Sequence, residues 1–469
     1  MTVPEAADAA PTTDVRDGIR HTPVWRYSLG MFGTSIPINM LKGSMLAFYV
    51  DHLGLEPAFY ASAIVIYAVV DAIDNPVFGF LSDRTRTRWG RRRPWLVAGA
   101  PLLGLGLIGF FAVPEGTTGV ALMVWFLVFA LLTEMTDSLL NANYGALLPE
   151  LFPVERVRAQ ANSLRQGFQL IAMVISLALT PTLTTKVFGT EDSTTGYTIT
   201  AVLYAVLGAG VIMFMALGVR ERADYSAVAR PRVGPTVRAL LGNRWFWQIG
   251  LAGACYGSAM ALVLNGLQLY VKYSLGEPLS SATILQGVVI LATGLGLLGW
   301  IRLVRRFGAG RMWRIAFTVF ACGFVPLFFA HSLVGGVLGG LVLAIGWSGM
   351  LSTNDLIVAR VLDEDAARAG QHREGAVLSA FGMFGRLNEL VIAAAITLVA
   401  AWFGYHGADD PGPDPGMAFR VYLAVFPLVL AAVGAAIAWL IRLPRNRAAA
   451  LEPAASQPTA SEPAELEEA

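Results

Sequence analysis

Asp71, Asp74 and Asn75 place two carboxylates and an amide oxygen on an otherwise apolar stretch. Asp74 lies three residues after Asp71 and Asn75 lies four, so on a helix the three share one face. Pro76 removes a backbone donor and leaves the carbonyl of Ala72 without its usual partner. Such an oxygen-rich cluster suits a hard cation such as sodium, or a proton held by one of the carboxylates. The same acids could instead form a structural ion pair with Lys42 or Arg386. Further along, Asp137, Ser138 and Asn141 form a second polar stripe at spacings of three and four. It serves either a ligand or hydrogen bonding between helices.

Two cations complete the set. Lys42 is one of three lysines in the chain, and Arg386 lies far from it in sequence, so together they could clamp an anionic group or neutralise the acids. Glu134, Glu389, Arg165 and Asp355 are the remaining charges in or at the ends of apolar runs. Trp347, Tyr67 and Tyr144 are aromatics at similar depth, suited to packing or to stacking on a ligand. No His or Cys spacing fits a metal, no phosphate-binding loop occurs and no nucleophile elbow stands out, so an enzyme is not expected. No cofactor is called for beyond a coupling ion, sodium or proton.

Positioning these charges requires a membrane bundle. The 469 residues are 55% hydrophobic and 14% charged, with a mean hydropathy of +0.58, against about 25% charged in soluble domains. Twelve apolar runs reach the roughly 20 residues needed to cross a bilayer. They lie near 25–50, 57–81, 94–113, 118–146, 160–184, 197–219, 245–272, 280–303, 312–330, 333–355, 376–404 and 419–442. Lipid cannot satisfy open backbone groups, so the class is an all-α membrane protein. A charge at mid-membrane costs about 2.5–3.5 kcal/mol on insertion scales, so each one inside a run should face a cavity or a partner.

Arginines sort the loops. One set carries Arg84 to Arg93, Arg156 and Arg158, Arg220 to Arg238, Arg305 to Arg311, and Arg368 and Arg373, while the opposite set is acidic or nearly free of charge. The basic set, and with it both termini, is expected in the cytoplasm of a cell whose inner (plasma) membrane holds the chain. The basic segment 220–244 reads as a linker between six-helix halves at 25–219 and 245–442, with a polar tail at 1–24 and an Ala-, Pro- and Glu-rich tail at 443–469 that is expected to be disordered. The basic loop after the second run and the loop around Arg305–Arg311 echo each other, as paired halves should. Asp83, Arg84, Arg91 and Arg92 are expected to latch the inner face against the facing half, and the Arg91–Arg93 run also suits lipid headgroups. Net charge is +1, which suggests no nucleic-acid partner. Cys255 and Cys322 sit in apolar runs and read as small buried residues. No signal peptide is visible, and a monomer is the expected unit.

The stretch from Asp71 to Pro101, DAIDNPVFGFLSDRTRTRWGRRRPWLVAGAP, resembles the glycoside–pentoside–hexuronide:cation symporter family, melibiose permease-like members of the major facilitator superfamily. Its acid-Ala-x-x-x-Pro span, its Gly-x-x-x-Asp end and its Thr-Arg-x-Arg-Trp-Gly loop carry the likeness. Tyr27–Gly33, Leu147–Pro149 followed by Arg165, and Arg373–Gly375 followed by Arg386 extend it over nearly the whole chain. The resemblance implies the major facilitator fold and a cation site at Asp71, Asp74, Asn75 and Ser138. The family commonly has Asn then Asp before the proline where this chain has Asp74 then Asn75. It also carries charged sugar ligands where this chain has Thr34-Ser35 and Asn141, a tryptophan at Gly145 and a tyrosine at Lys42.

The expectation is a secondary active transporter working by alternating access, cation-coupled, for a glycoside-like, hexuronide-like or other anionic or zwitterionic small molecule. Lys42, Asp137, Asn141, Arg165, Trp347 and Arg386 would hold the substrate. A lysophospholipid transporter of the same fold, a proton-coupled exporter and a non-transporting sensor are the competing readings.

Overall fold

A computed structural model describes residues 22–85, 87–152, 155–191, 193–219, 242–369 and 381–441. The linker expected at 220–244, both tails, and Arg368 and Arg373 lie wholly or largely outside the described side chains. Among the described residues the regular secondary structure is helical apart from one isolated bridge between Thr87 and Gly90.

Ten helices are long and apolar enough to cross a membrane. They are α3 (Arg93–Phe111), α4 (Gly119–Leu148, helical to Leu151), α5 (Gln160–Val187), α6 (Thr195–Gly218), α7 (Arg244–Ser274), α8 (Leu279–Phe307), α9 (Ala309–Phe329), α10 (Leu333–Val358), α11 (Phe381–Phe403) and α12 (Pro415–Leu440). Two more match the first two predicted spans. α1 runs over 24–52, with a break at Leu29 and a π-helical end at Ala47–His52. α2 is continuous over Pro57–Arg84. The helix of α10 continues to Ala369. Local chemistry sets several starts: Pro57 and Pro415 occupy first-turn positions that need no donor. Asn243 and Asp414 cap α7 and α12 by accepting from the N–H of Trp245 and Met417, at 3.0 and 2.9 Å.

The packing carries a two-fold repeat. α1 packs on α6, α2 on α4, and α3 on both α4 and α6. Adding six to each number gives α7 on α12, α8 on α10, and α9 on α10 and α12, and each of these contacts is also extensive. The contacts between halves obey the same rule: α2 with α11 exchanges with α5 with α8, and α1 with α7 maps onto itself. The bundle is therefore two six-helix halves of the same design. Leu295, Val206 and Leu440 stay exposed on outward faces, as a lipid-facing surface requires. Within a half, Gly33 of α1 and Gly208 of α6 allow a close crossing. A Cβ on Gly33 would come within 2.9 Å of the Gly208 carbonyl oxygen.

The repeat extends to fine detail at the acidic ends of α1 and α7. Each finishes in a π-helical turn closed by a glycine in the left-handed region, Gly54 (φ 66°) and Gly276 (φ 67°). The closing bonds correspond. Leu53 N–H donates to Phe48 O and Leu55 N–H to Tyr49 O, as Leu275 N–H donates to Tyr270 O and Glu277 N–H to Val271 O.

Candidate substrate and cation site

The polar groups between the halves form layers stacked from mid-membrane to the acidic face. The innermost layer joins α2 to α11: Asp71, 3% exposed, forms an ion pair with Arg386 of the other half. Arg386 sits where α11 tightens, its N–H donating to Met383 O at 3.2 Å, and the regular helix Leu387–Phe403 starts just after it. The carboxylate of Asp71 thus holds a cation already, and that cation belongs to the protein.

One helical turn along both α2 and α11 lies the second layer. Glu134 of α4 is buried; its Oε1 accepts from Lys42 Nζ of α1 at 3.3 Å and its Oε2 accepts from the Tyr67 hydroxyl of α2. Lys42 keeps 37% of its side chain exposed although its partner is buried in the bundle, so it faces an opening inside the bundle. Glu389 of α11 approaches this group from the opposite half, and Asp137 also lies within electrostatic reach of Lys42. In the third layer Asn265 of α7 donates to the Tyr60 hydroxyl of α2 at 3.3 Å and accepts from Tyr422 of α12 at 2.9 Å. In the fourth, Gln268 of α7 donates to Gly43 O and Ser44 Oγ of α1, both at 3.1 Å.

The outermost layer closes the acidic face. Asp51, at the π-helical end of α1, accepts from Lys272 Nζ at 2.5 Å, from the Tyr273 hydroxyl, and from the Tyr405 hydroxyl at 3.1 Å. Tyr405 follows α11 and is fully buried; burial first, and the Asp51 carboxylate second, hold its phenol well above its ordinary range. Beside this knot Thr182 of α5 meets Thr283 of α8 at 2.7 Å, and Glu191 accepts from the Leu279 N–H at 3.0 Å. At the other end, the first helix of α5 is two-faced, and its Asn162, Ser163 and Gln166 are exposed. A polar exposed face on a spanning helix lines water rather than lipid, so the site opens toward the basic face.

Of the residues singled out in the sequence, Asp71 and Arg386 meet, and Lys42 lies one layer away. Asp137 is half-buried, Ser138 is buried and Asn141 is half-buried on α4, which packs along α2. The side chains of Asp74, Asn75, Asp83 and Arg84 lie outside the described residues. Arg165 does not join the layers: its guanidinium stands 5.7 Å from the Tyr144 ring, in the packing of Tyr27 on Tyr144. Trp347 donates to the Tyr256 hydroxyl at 3.1 Å within its own half. It lines a small apolar cavity of about 40 Å³ with Gln286, Met260 and Leu343. Arg91 and Arg92 engage Glu150 of their own half, at 2.7 and 3.0 Å.

The residue pattern alone does not single out several participants. Glu134 and Glu389 were visible as charges within spans, and their spacing to Ser138 and Arg386 carried the signal. Tyr67 lies four residues before Asp71, on the same helix face. Asp51 and Lys272 were visible only as loop charges, though each ends a similar Tyr-Val-acid or Tyr-Val-base run before a glycine.

The chain is 30% identical over 220 residues to an uncharacterized symporter of Synechocystis, covering 46% of this chain and 39% of that one. It thus spans well under two thirds of that relative. It is 23% identical over 431 residues to a glucuronide carrier protein homolog of Escherichia coli strain K12, covering 89% and 93% of the two chains. Among solved structures, a nucleoside transporter superposes with a TM-score of 0.68 at 10% identity, covering 88% of this chain and all of the other. That likeness is one of fold, and the fold is that of a multi-pass transporter of the major facilitator type, not of an enzyme. Residues 26–445 match the family described as MFS/sugar transport protein, and the chain belongs to that family.

Proposed function

We propose that this chain is a cation-coupled symporter that moves a polar, glycoside-like or hexuronide-like small molecule by alternating access. It would work as a monomer in the inner (plasma) membrane, with the basic face and both termini in the cytoplasm, so that the conformation described opens inward. The observation that carries this reading is the ion pair between Asp71 and Arg386 across the halves. A coupling cation binding at Asp71, with Asp74, Asn75 and Ser138 as further oxygen ligands, takes over the role of the guanidinium. Arg386 is then free to meet an acidic or hydroxyl group of the substrate. Each ligand lowers the cost of binding the other, which is the linkage that symport requires. Sodium and a proton both fit this scheme.

Lys42, Asp137 and Asn141 belong to the same substrate region, whereas Arg165 and Trp347 are engaged within their own halves and act on it indirectly. Both central cations already hold a carboxylate. An anionic substrate group must therefore displace Glu134 or Asp71 instead of meeting an unpaired charge. The glucuronide carrier among the relatives makes hexuronides the first class to test. The experiment is uptake of labelled neutral glycosides, hexuronides and lysophospholipids into membrane vesicles, with and without a sodium or proton gradient, for the wild type and Asp71→Asn. Gradient-stimulated uptake of one compound, lost in the variant, is the expected result. Normal uptake by Asp71→Asn, or no uptake under either gradient, removes the symport reading and favours export or sensing.

A further inference from the structure

Glu134 and Glu389 approach one lysine from opposite halves, and their hydrogen bonding differs. Glu134 uses both oxygens, one on Lys42 and one on Tyr67. Glu389 is 8% exposed, and its Oε2 is buried with no hydrogen-bond partner among the described residues. The charged and titratable groups that face it are Lys42 of α1, Tyr60 and Tyr67 of α2, Glu134 of α4, Arg386 of its own helix and Tyr422 of α12. Asp137 stands beyond Lys42. The two cations are committed: Lys42 to Glu134 and Arg386 to Asp71. The Tyr67 hydroxyl is given to Glu134, and that of Tyr422 to Asn265. An ionised Glu389 would be a buried carboxylate beside a second carboxylate, with no counter-charge of its own, an arrangement that proteins avoid by neutralising the group.

We propose that Glu389 is a proton-binding site, separate from the cation site on α2, and that it carries its proton when the halves are closed on the acidic face. The step is a simple protonation. The carboxylate takes a proton from water to give the neutral acid and returns it to water on deprotonation; no electrons move. Protonation removes the repulsion between Glu389 and Glu134 across the interface and so favours the conformation described. Deprotonation favours its opening. The use of this proton in transport rests on the symport reading, but its binding does not.

The test therefore needs no substrate. Infrared difference spectra of the full chain in proteoliposomes, recorded between about pH 5 and about pH 9, should contain a carboxylic-acid carbonyl band that titrates by about one proton per chain. The band should vanish in Glu389→Gln and titrate at lower pH in Asp71→Asn, where Arg386 loses its own carboxylate. A wild type without such a band, or a band that survives in Glu389→Gln, overturns the assignment. If Glu389→Gln does not assemble as a monodisperse protein, Glu389→Asp decides: a shifted band supports the site, and an unmoved band overturns it. Failure of the uptake experiment with the band intact would remove symport and leave the proton site standing.

Discussion

Asp51 and Glu150 are two buried acids, each answered by several donors, at opposite ends of the bundle. Glu150 takes Arg91 and Arg92, which lie 59 and 58 positions before it in the same half. Asp51 takes Lys272, Tyr273 and Tyr405, all from the other half. The chemistry is alike, but the consequence is not. The Glu150 pairs themselves lie within one half. The Asp51 knot exists only while the halves touch at the acidic face, so its free energy enters directly into the equilibrium between conformations. Where the partners sit, rather than how strong the pair is, decides whether a buried ion pair acts on stability or on conformational change.

The largest effect should come from breaking the Asp51 knot. Removing one partner of a buried pair costs about 3–5 kcal/mol, less here because Lys272 keeps a third of its side chain exposed. A reporter cysteine, Ser44→Cys, lies behind the knot and is buried, and Cys255 and Cys322 can be replaced by serine to silence the background. Asp51→Asn should speed labelling of the reporter by a membrane-impermeant thiol reagent about tenfold or more, equivalent to about 1.4 kcal/mol per tenfold. Unchanged labelling would mean that the apolar packing around the knot, not the ion pair, holds the face shut. Exchanging the charges, Asp51→Lys with Lys272→Asp, should recover part of the slow labelling that either single change loses.

A smaller effect should follow from Tyr405→Phe, which removes one 3.1 Å hydrogen bond to Asp51 and leaves the ion pair. A hydrogen bond to a charged group contributes about 1.5–3 kcal/mol, but Asp51 keeps two other donors. An increase in reporter labelling of about threefold to tenfold is expected. An effect as large as that of Asp51→Asn would show that the tyrosine, not the lysine, is the principal lock.

What the sequence revealed and what it hid divide along the same line as these two acids. Each apolar run announces its own helix, because the cost of open backbone in lipid is a local property, and all twelve spans correspond to helices within the described residues. The ends were less legible: α4 runs on to Leu151 and the helix of α10 to Ala369, since a helix can continue past the membrane at little cost. The charges on Asp71, Lys42 and Arg386 stood out because they are expensive there. Their partners did not, because pairing is a property of the assembled bundle. Lys42 meets Glu134, 92 positions away, and not the acids on α2. Arg165 met aromatic rings within its own half. The echo between α1 and α7 was hidden by its shortness, a few residues ending in Gly54 and Gly276, and only the matching hydrogen bonds make it plain.

The smallest effect on the conformational equilibrium should come from the other acid. Arg92→Gln weakens a pair that lies wholly within one half, so it should lower the thermal stability of the purified protein while changing reporter labelling by no more than about twofold. The latch expected of Asp83, Arg84, Arg91 and Arg92 makes a different forecast. If these arginines grip the facing half in the opposite conformation, then removing one penalises that conformation, favours the one described, and slows the labelling of Ser44→Cys. Stability and labelling together therefore separate the two roles. Reduced stability with constant labelling assigns Arg92 to the architecture of its half. Slower labelling would show that Glu150 surrenders the arginine during the cycle, and that the two ends of the molecule exchange roles as the halves rock.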